Sequence, residues 1–167
     1  MCRNRDFVAV LPGAAEVAGR PCETASVRRD LGDGYELDDD PGRIDLEAVH
    51  AYISGESYWA KGRPLETQAE MNRAAARLVG LYLDGEQVGF TRTALVGGMQ
   101  IAYLFDVYVL AEHRGQGLGE ALVRETVDRG PYADHRWLLD TTDAHGLYAK
   151  LGFRPSSERL MERPRHP

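Results

Sequence analysis

Two hydrophobic periods alternate along the chain. Leu46, Val49 and Ile53 recur at helical spacing and share one face, with Asp45 placed to cap the first turn and Gly55 to end the helix. Thr67, followed three residues later by Glu70, has the form of a capping box and predicts a second helix over 68–76. The period then drops to two. Residues 77–83 and 87–94 flank Asp84-Gly85, a pair that favours a two-residue hairpin turn, and Val96-Gly97-Gly98 leads into a long β-branched and aromatic run over 100–110. Helical spacing returns around Gly119. Leu118, Leu122 and Glu125 lie on one stripe and Ala121, Val123 and Val127 on another, until Gly130-Pro131 stops the helix. Trp137-Leu138-Leu139 reads as a buried strand. Asp143 is placed to cap a short helix through Leu151, Gly152 ends it, and Phe153 opens terminal strands that take in Leu160-Met161. With a short strand at Tyr35-Glu36-Leu37, the predicted order is β-α-α-β-β-β-α-β-α-β. That is the pattern of a single α/β (α+β) domain around a mixed, mostly antiparallel sheet.

Residues 1–33 show no sustained period. They hold Pro12, Gly13, Gly19 and Pro21, one short apolar stretch at 7–11, and Gly32-Asp33-Gly34 at their end. They read as a loosely attached appendage whose removal costs little stability, followed by a domain over 34–163. Asp6 and Pro12 interrupt any likeness to a secretion signal.

Composition narrows the function classes. The chain has 167 residues, enough for one core, with 43% hydrophobic and 28% charged residues. Its formal net charge of −6 opposes nucleic-acid binding through a broad cationic face. Two cysteines, Cys2 and Cys22, are too few for a disulfide scaffold, and the five scattered histidines form no metal-binding pattern, so no metal is expected. No apolar stretch reaches the length of a membrane span, and the cytoplasm is the expected compartment.

The segment that carries chemistry runs from Val107-Tyr108-Val109 to Arg114-Gly115-Gln116-Gly117-Leu118-Gly119-Glu120. A buried strand enters a glycine-rich turn, and the turn opens a helix. Unpaired N–H groups converge there and the helix dipole adds partial positive charge, which makes a cradle for phosphate or pyrophosphate. Glycine at 115, 117 and 119 lets the backbone approach an anion, and Arg114 adds fixed charge. A flexible surface turn is the plain alternative. A nicotinamide-dinucleotide site is another, with Asp140 as the ribose-binding acid. The Gly-x-Gly-x-x-Gly fingerprint, however, needs glycine at 120, where the chain has Glu120.

Arg114-x-x-Gly117-x-Gly119, after a Val-x-Val strand and before an amphipathic helix, resembles the acyl-CoA signature of the GNAT superfamily of N-acyltransferases. The stretch from Asp143 to Phe153, Asp-Ala-His-Gly-Leu-Tyr-Ala-Lys-Leu-Gly-Phe, is similar to the same superfamily's C-terminal helix. The resemblance spans roughly residues 35–161. It implies a sheet splayed at its central strands and flanked by helices. The pantetheine arm of acetyl-CoA would lie in the gap against Val107, Tyr108 and Val109, and the pyrophosphate on the amides of residues 115–120. Many members carry Asn where this chain has Thr141, so no definite cofactor contact is assigned there.

The implied activity is transfer of an acetyl group from acetyl-CoA to a primary amine of a small molecule or peptide, by direct attack in a ternary complex. A catalytically silent acyl-CoA sensor is the alternative. The resemblance makes Tyr148 the general acid for the departing thiol and the Val109 N–H the donor to the thioester oxygen. Asp106, just before the cofactor strand, is a candidate base, although a water chain could serve instead. Tyr58 and Trp59 fall in the link between the first two helices and are candidates to enclose the acceptor, with Glu56 favouring a cation. Asp143 reads as a helix cap, and His145 and His113 as surface groups. Many relatives pair, so a homodimer is possible.

Overall fold

The computed structural model describes residues 26–156 and Met161. Six strands form one sheet in chain order: β1 Arg28–Gly32, β2 Tyr35–Asp38, β3 Arg77–Leu83, β4 Glu86–Leu95, β5 Ile101–Val109 and β6 Arg136–Leu138. Every neighbouring pair is antiparallel except β5 and β6, which are parallel. The helices are α1 Leu46–Gly55, α2 Leu65–Arg73, α3 Leu118–Asp128 and α4 His145–Lys150. Among the described residues no helix is long and apolar enough to cross a membrane.

Both faces of the sheet are covered, as the near-continuous burial of β3 requires. Leu78, Phe90 and Tyr108 pack against Val49 and Ile53 of α1 on one face. On the other, Val79, Leu81, Val88 and Val109 meet Leu118 and Leu122 of α3. Leu104 packs with Val123, Val127 and Tyr148, joining α3 to α4. The two apolar stripes of α3 thus fill adjacent pockets of the same layer. Glu125, on the first stripe, is buried and paired with Arg29 at 2.6 Å and Arg77 at 3.4 Å.

The first strand begins at Arg28, inside the stretch expected to be an appendage. Asp33 and Gly34 both take positive φ, 52° and 80°, as Asp84 and Gly85 do at the next hairpin. The chain therefore carries two Asp-Gly turns of the same kind, and the first joins β1 to β2. The two turns touch: the Asp84 N–H donates to the Gly34 carbonyl at 3.0 Å. Residues 1–25, with Cys2, Cys22 and the apolar stretch at 7–11, lie outside the described residues.

Three local expectations change. α2 starts at Leu65 behind Pro64, whose fixed φ sets the first turn, and Thr67 makes no cap. At α4 the Thr141 Oγ1 accepts from the Ala144 N–H at 3.1 Å, so the hydroxyl secures the entry to the helix and Asp143 does not. Phe153 is in no strand, because it packs beside Tyr148 and the α3–α4 cluster instead. Met161 is exposed and Leu160 lies outside the described residues. By contrast, Asp45 caps α1 as expected, accepting from the Ala48 N–H at 2.9 Å.

Candidate active site

The glycine-rich turn is built by backbone conformation. After β5, a short turn over Ala111–His113 leads to Gly115 and Gly117, with φ of 80° and 79°. A Cβ at either position would meet nothing within 4 Å, so the cradle is open and glycine is needed for the left-handed backbone rather than for space. Gly117 is the N-cap of α3, and no side chain occupies the first-turn amides. The N–H groups of Leu118, Gly119 and Glu120 are the ones an α-helix leaves without internal acceptors. These residues line a cavity of about 580 Å³. An open nest of amides at the positive end of an eleven-residue helix fits a pyrophosphate.

The strand that runs into this turn is interrupted. Phe90 pairs with Tyr108 and Arg92 with Phe105, so Thr91 stands opposite two residues, Asp106 and Val107. This is a β-bulge, and Asp106 takes φ 54° within it. The bulge reverses the strand's alternation. Leu104 faces α3, whereas Tyr108, which an unbroken period of two would put on the same face, packs under α1. Beyond the bulge β5 also loses its other neighbour, because β6 pairs with it only over residues 101–103. The sheet is splayed from there on.

The register fixes what the open edge offers. The Leu110 N–H donates to the Val88 carbonyl across the Gly89–Val109 pair. That makes Val109 a non-hydrogen-bonded member of the ladder, with its N–H and carbonyl directed away from β4. The carbonyl accepts from Arg114 Nε at 2.8 Å, which leaves the N–H. Arg114 also donates to the Tyr52 hydroxyl at 2.9 Å, and Tyr52 stacks on Tyr108 at 4.0 Å. Arg114 thereby ties the turn to α1. The Tyr108 ring is core, and its backbone groups, one residue before Val109, are turned toward Phe90 of β4, so the expected Tyr108 contact with the cofactor arm is not available at the open edge.

Tyr148 is 8% exposed and lines the same cavity. Among the described residues its hydroxyl makes no hydrogen bond. Burial pushes its phenol up to about 12, with Tyr58 and Asp143 adding to the rise, so it stays protonated at neutral pH. Across the cavity the Tyr58 hydroxyl accepts from the Thr142 N–H at 3.0 Å and lies 3.4 Å from Asp143 Oδ1. Trp59 stands edge-on to Tyr58 with ring centroids 5.0 Å apart.

The cavity gathers Val107, Tyr108, Val109, Arg114, Gly115, Gly117, Leu118, Gly119, Glu120, Tyr58, Trp59 and Tyr148. Two residues singled out from sequence are not in its lining. Gln116 is exposed on the outside of the turn. Asp106 is buried beneath the cavity, and both its oxygens accept from Arg92, Arg63 and Trp59. Lining residues that sequence reasoning missed include Tyr52, Ser57, Leu147 and Lys150. Tyr52 falls one residue from Ile53 on a helix read only for its apolar stripe. Leu147 and Lys150 share α4 with Tyr148, and the helical period would have placed them on its exposed sides.

A family model of the acetyltransferase (GNAT) domain matches residues 74–155. A crystal structure from Xanthomonas campestris pv. campestris, described as an acetyltransferase belonging to the GNAT family, is 36% identical. It has a TM-score of 0.70 and is matched over 78% of this chain and 92% of that one. A protein of Gibberella zeae named as an acetyltransferase is 28% identical over 146 residues, 74% of this chain and 81% of its own. Streptothricin acetyltransferase of Streptomyces lavendulae is 30% identical over 128 residues, 73% of this chain and 64% of its own.

Proposed function

This chain belongs to the GNAT superfamily of acyl-CoA-dependent acetyltransferases, and we propose that it carries an acetyl group from acetyl-CoA to the primary amine of a cationic small molecule within a ternary complex. The observation that carries this reading is the single cavity that joins the amide nest of α3, the open edge of β5 and the Tyr148 hydroxyl. Acetyl-CoA supplies the activated thioester. The amides of residues 115 and 117–120 would hold its pyrophosphate, and Val107 and Val109 would pair with the pantetheine arm along the strand edge. The Val109 N–H is the free donor on that edge and is suited to the thioester oxygen as negative charge gathers on it. One such donor contributes about 3 kcal/mol.

The amine nitrogen forms its bond to the carbonyl carbon as the carbon–sulfur bond breaks. Tyr148 Oη gives its proton to the departing sulfur, and the amine's surplus proton leaves to water. Holding both reactants in one groove adds an entropic advantage. Tyr58 and Trp59 form an aromatic wall at the acceptor end, with Glu56 and Asp143 in the same lining, and this favours a positively charged amine over an acidic one. The relative named for streptothricin supports an amine of that class.

The test is turnover of acetyl-CoA with a panel of small primary amines and peptides, following thiol release and identifying the acetylated amine by mass spectrometry. Amine-dependent release with basic small molecules is the expected result. Tight acetyl-CoA binding with no release for any amine would leave a sensor domain in its place.

A further inference from the structure

Asp106 holds an unusual place for a carboxylate. Among the described residues three non-glycine residues have positive φ; Asp33 and Asp84 are in hairpin turns, while Asp106 is inside a strand. Its side chain is 1% exposed. Arg92 Nε donates to one oxygen at 2.8 Å, Arg63 Nη1 donates to both at 3.0 Å, and Trp59 Nε1 lies 3.4 Å from Oδ1. Arg92 belongs to β4 and also sits 4.7 Å over the Phe105 ring. Arg63 and Trp59 come from the loop between α1 and α2.

That loop carries the acceptor wall, Tyr58 and Trp59. It is fastened to its own helices: the His50 ring is hydrogen-bonded to the Arg63 carbonyl at 2.8 Å, Gly62 N–H donates to the Ser54 carbonyl at 2.8 Å, and Arg63 Nη1 donates to Gln68 Oε1 at 2.7 Å. Asp106 links this assembly to the sheet. It does so three residues before Val109, at the bulge that opens the strand edge. The oxygens are fully engaged, and the side chain has no access to the cavity through which an amine would arrive.

We infer that Asp106 is a positioning residue for the acceptor: through Arg63 and Trp59 it locks the loop bearing the aromatic wall at a fixed distance from the strand that presents the Val109 N–H. This role rests on the acetyl-transfer reading of the cavity. It assigns to Asp106 a task different from proton abstraction. A base would have to present a free oxygen to the amine or to a water, and in this structure both oxygens serve as anchors. Loosening the anchor shifts the acceptor wall while the amide nest and Tyr148, on other elements, stay in place. The loss falls on amine binding.

The experiment compares Asp106→Asn with Arg63→Met in steady-state kinetics. Both variants are expected to raise KM for the amine about tenfold, as loss of a charge-assisted hydrogen bond would, and to keep KM for acetyl-CoA within about twofold. The pH profile of kcat/KM keeps its shape in both, and the double variant is no worse than the poorer single one, because the two share one interaction. A hundredfold fall in kcat and a lost pH limb in Asp106→Asn, with Arg63→Met normal, would make Asp106 the base and overturn the inference. Unchanged amine KM in Arg63→Met overturns it too, and that variant carries the test should Asp106→Asn not fold. A readout independent of turnover is acrylamide quenching of Trp59 in a Trp137→Phe background. Arg63→Met is expected to increase quenching; equal quenching refutes the anchor even if no amine proves to be a substrate.

Discussion

Removing a single oxygen, in Tyr148→Phe, isolates the proposed proton donor. The ring keeps its packing, including the edge-on contact with Phe153 at 5.7 Å, and the backbone of α4 is untouched. The hydroxyl has no hydrogen-bond partner among the described residues, so its loss orphans nothing, and stability at neutral pH should change by less than about 1 kcal/mol. The kinetic cost is larger. A phenol pushed up to about 12 is a weaker acid than an ordinary thiol near 8.5, so complete proton transfer in water would run uphill. Inside the cavity the same desolvation disfavours the thiolate and raises its affinity for a proton, which narrows the gap. The expected fall in kcat therefore lies at the low end of general-acid effects, about a hundredfold or ~3 kcal/mol. The assay is single-turnover thiol release, which excludes product dissociation, together with calorimetric titration of acetyl-CoA, whose affinity should change by less than about twofold. A variant whose chemical step runs within threefold of the parent would end the proton-donor role. The same substitution has a signature in stability. The native phenol keeps its proton to about pH 12 while the unfolded chain loses it near 10, so the native state is favoured below pH 10 and progressively loses that advantage between 10 and 12. Tyr148→Phe should flatten part of this decline, with Tyr82, also pushed up to about 12, and Tyr108, pushed up further by burial, keeping the rest.

At the amide nest, Gly117→Ala adds only left-handed strain of about 1 kcal/mol, whereas Gly117→Glu also sets a carboxylate against the pyrophosphate. Calorimetry should show acetyl-CoA affinity reduced modestly by the first and abolished by the second; equal affinities would remove the nest from the account. Thr141→Val deletes the oxygen that accepts from Ala144 N–H and should cost about 1 kcal/mol, read as a fall in Tm of a few degrees with a parallel loss of kcat as Tyr148 loosens. A chain starting at Gly34 loses β1 and the Arg29 partner of buried Glu125, so its melting temperature should drop by several degrees. An unchanged melting curve would mean that the first strand contributes nothing.

What could be read from sequence was local. The glycine-rich turn needs only that a strand, three glycines and a helix follow one another within a few residues, and Asp45 caps α1 through a bond to Ala48 three positions on. Misreadings arose where the deciding partner is remote or where one signal was weighed against another. β1 was hidden because Arg28-Arg29-Asp30 has little apolar character; its pairing depends on β2 and its burial on Glu125, 96 residues away. The Asp33-Gly34 turn was the available clue and matches the Asp84-Gly85 turn in kind. Thr67 lost its capping role to Pro64, whose backbone constraint acts without any partner.

Asp106 shows why a site's chemistry can be legible while its division of labour is not. Its neighbour Val107 marks it as part of the strand proposed to hold the cofactor, and a carboxylate at such a place is a natural candidate base on composition alone. The partners that occupy it are 14 residues away in Arg92 and 43 in Arg63, and neither spacing has a period that a helix or strand would announce. A bulge is similarly silent, since it is defined by two strands together: one residue of β4 against two of β5. Yet that extra residue turns Tyr108 to the α1 face, and the end of β6 pairing then leaves the Val109 N–H exposed to the gap. The same bulge buries the Asp106 carboxylate that accepts from Arg63 and Trp59 of the loop between α1 and α2. On the proposed reading the donor and acceptor halves of the site share this single irregularity, so a deletion of one residue at the bulge should disturb both, where Arg63→Met should disturb only the acceptor.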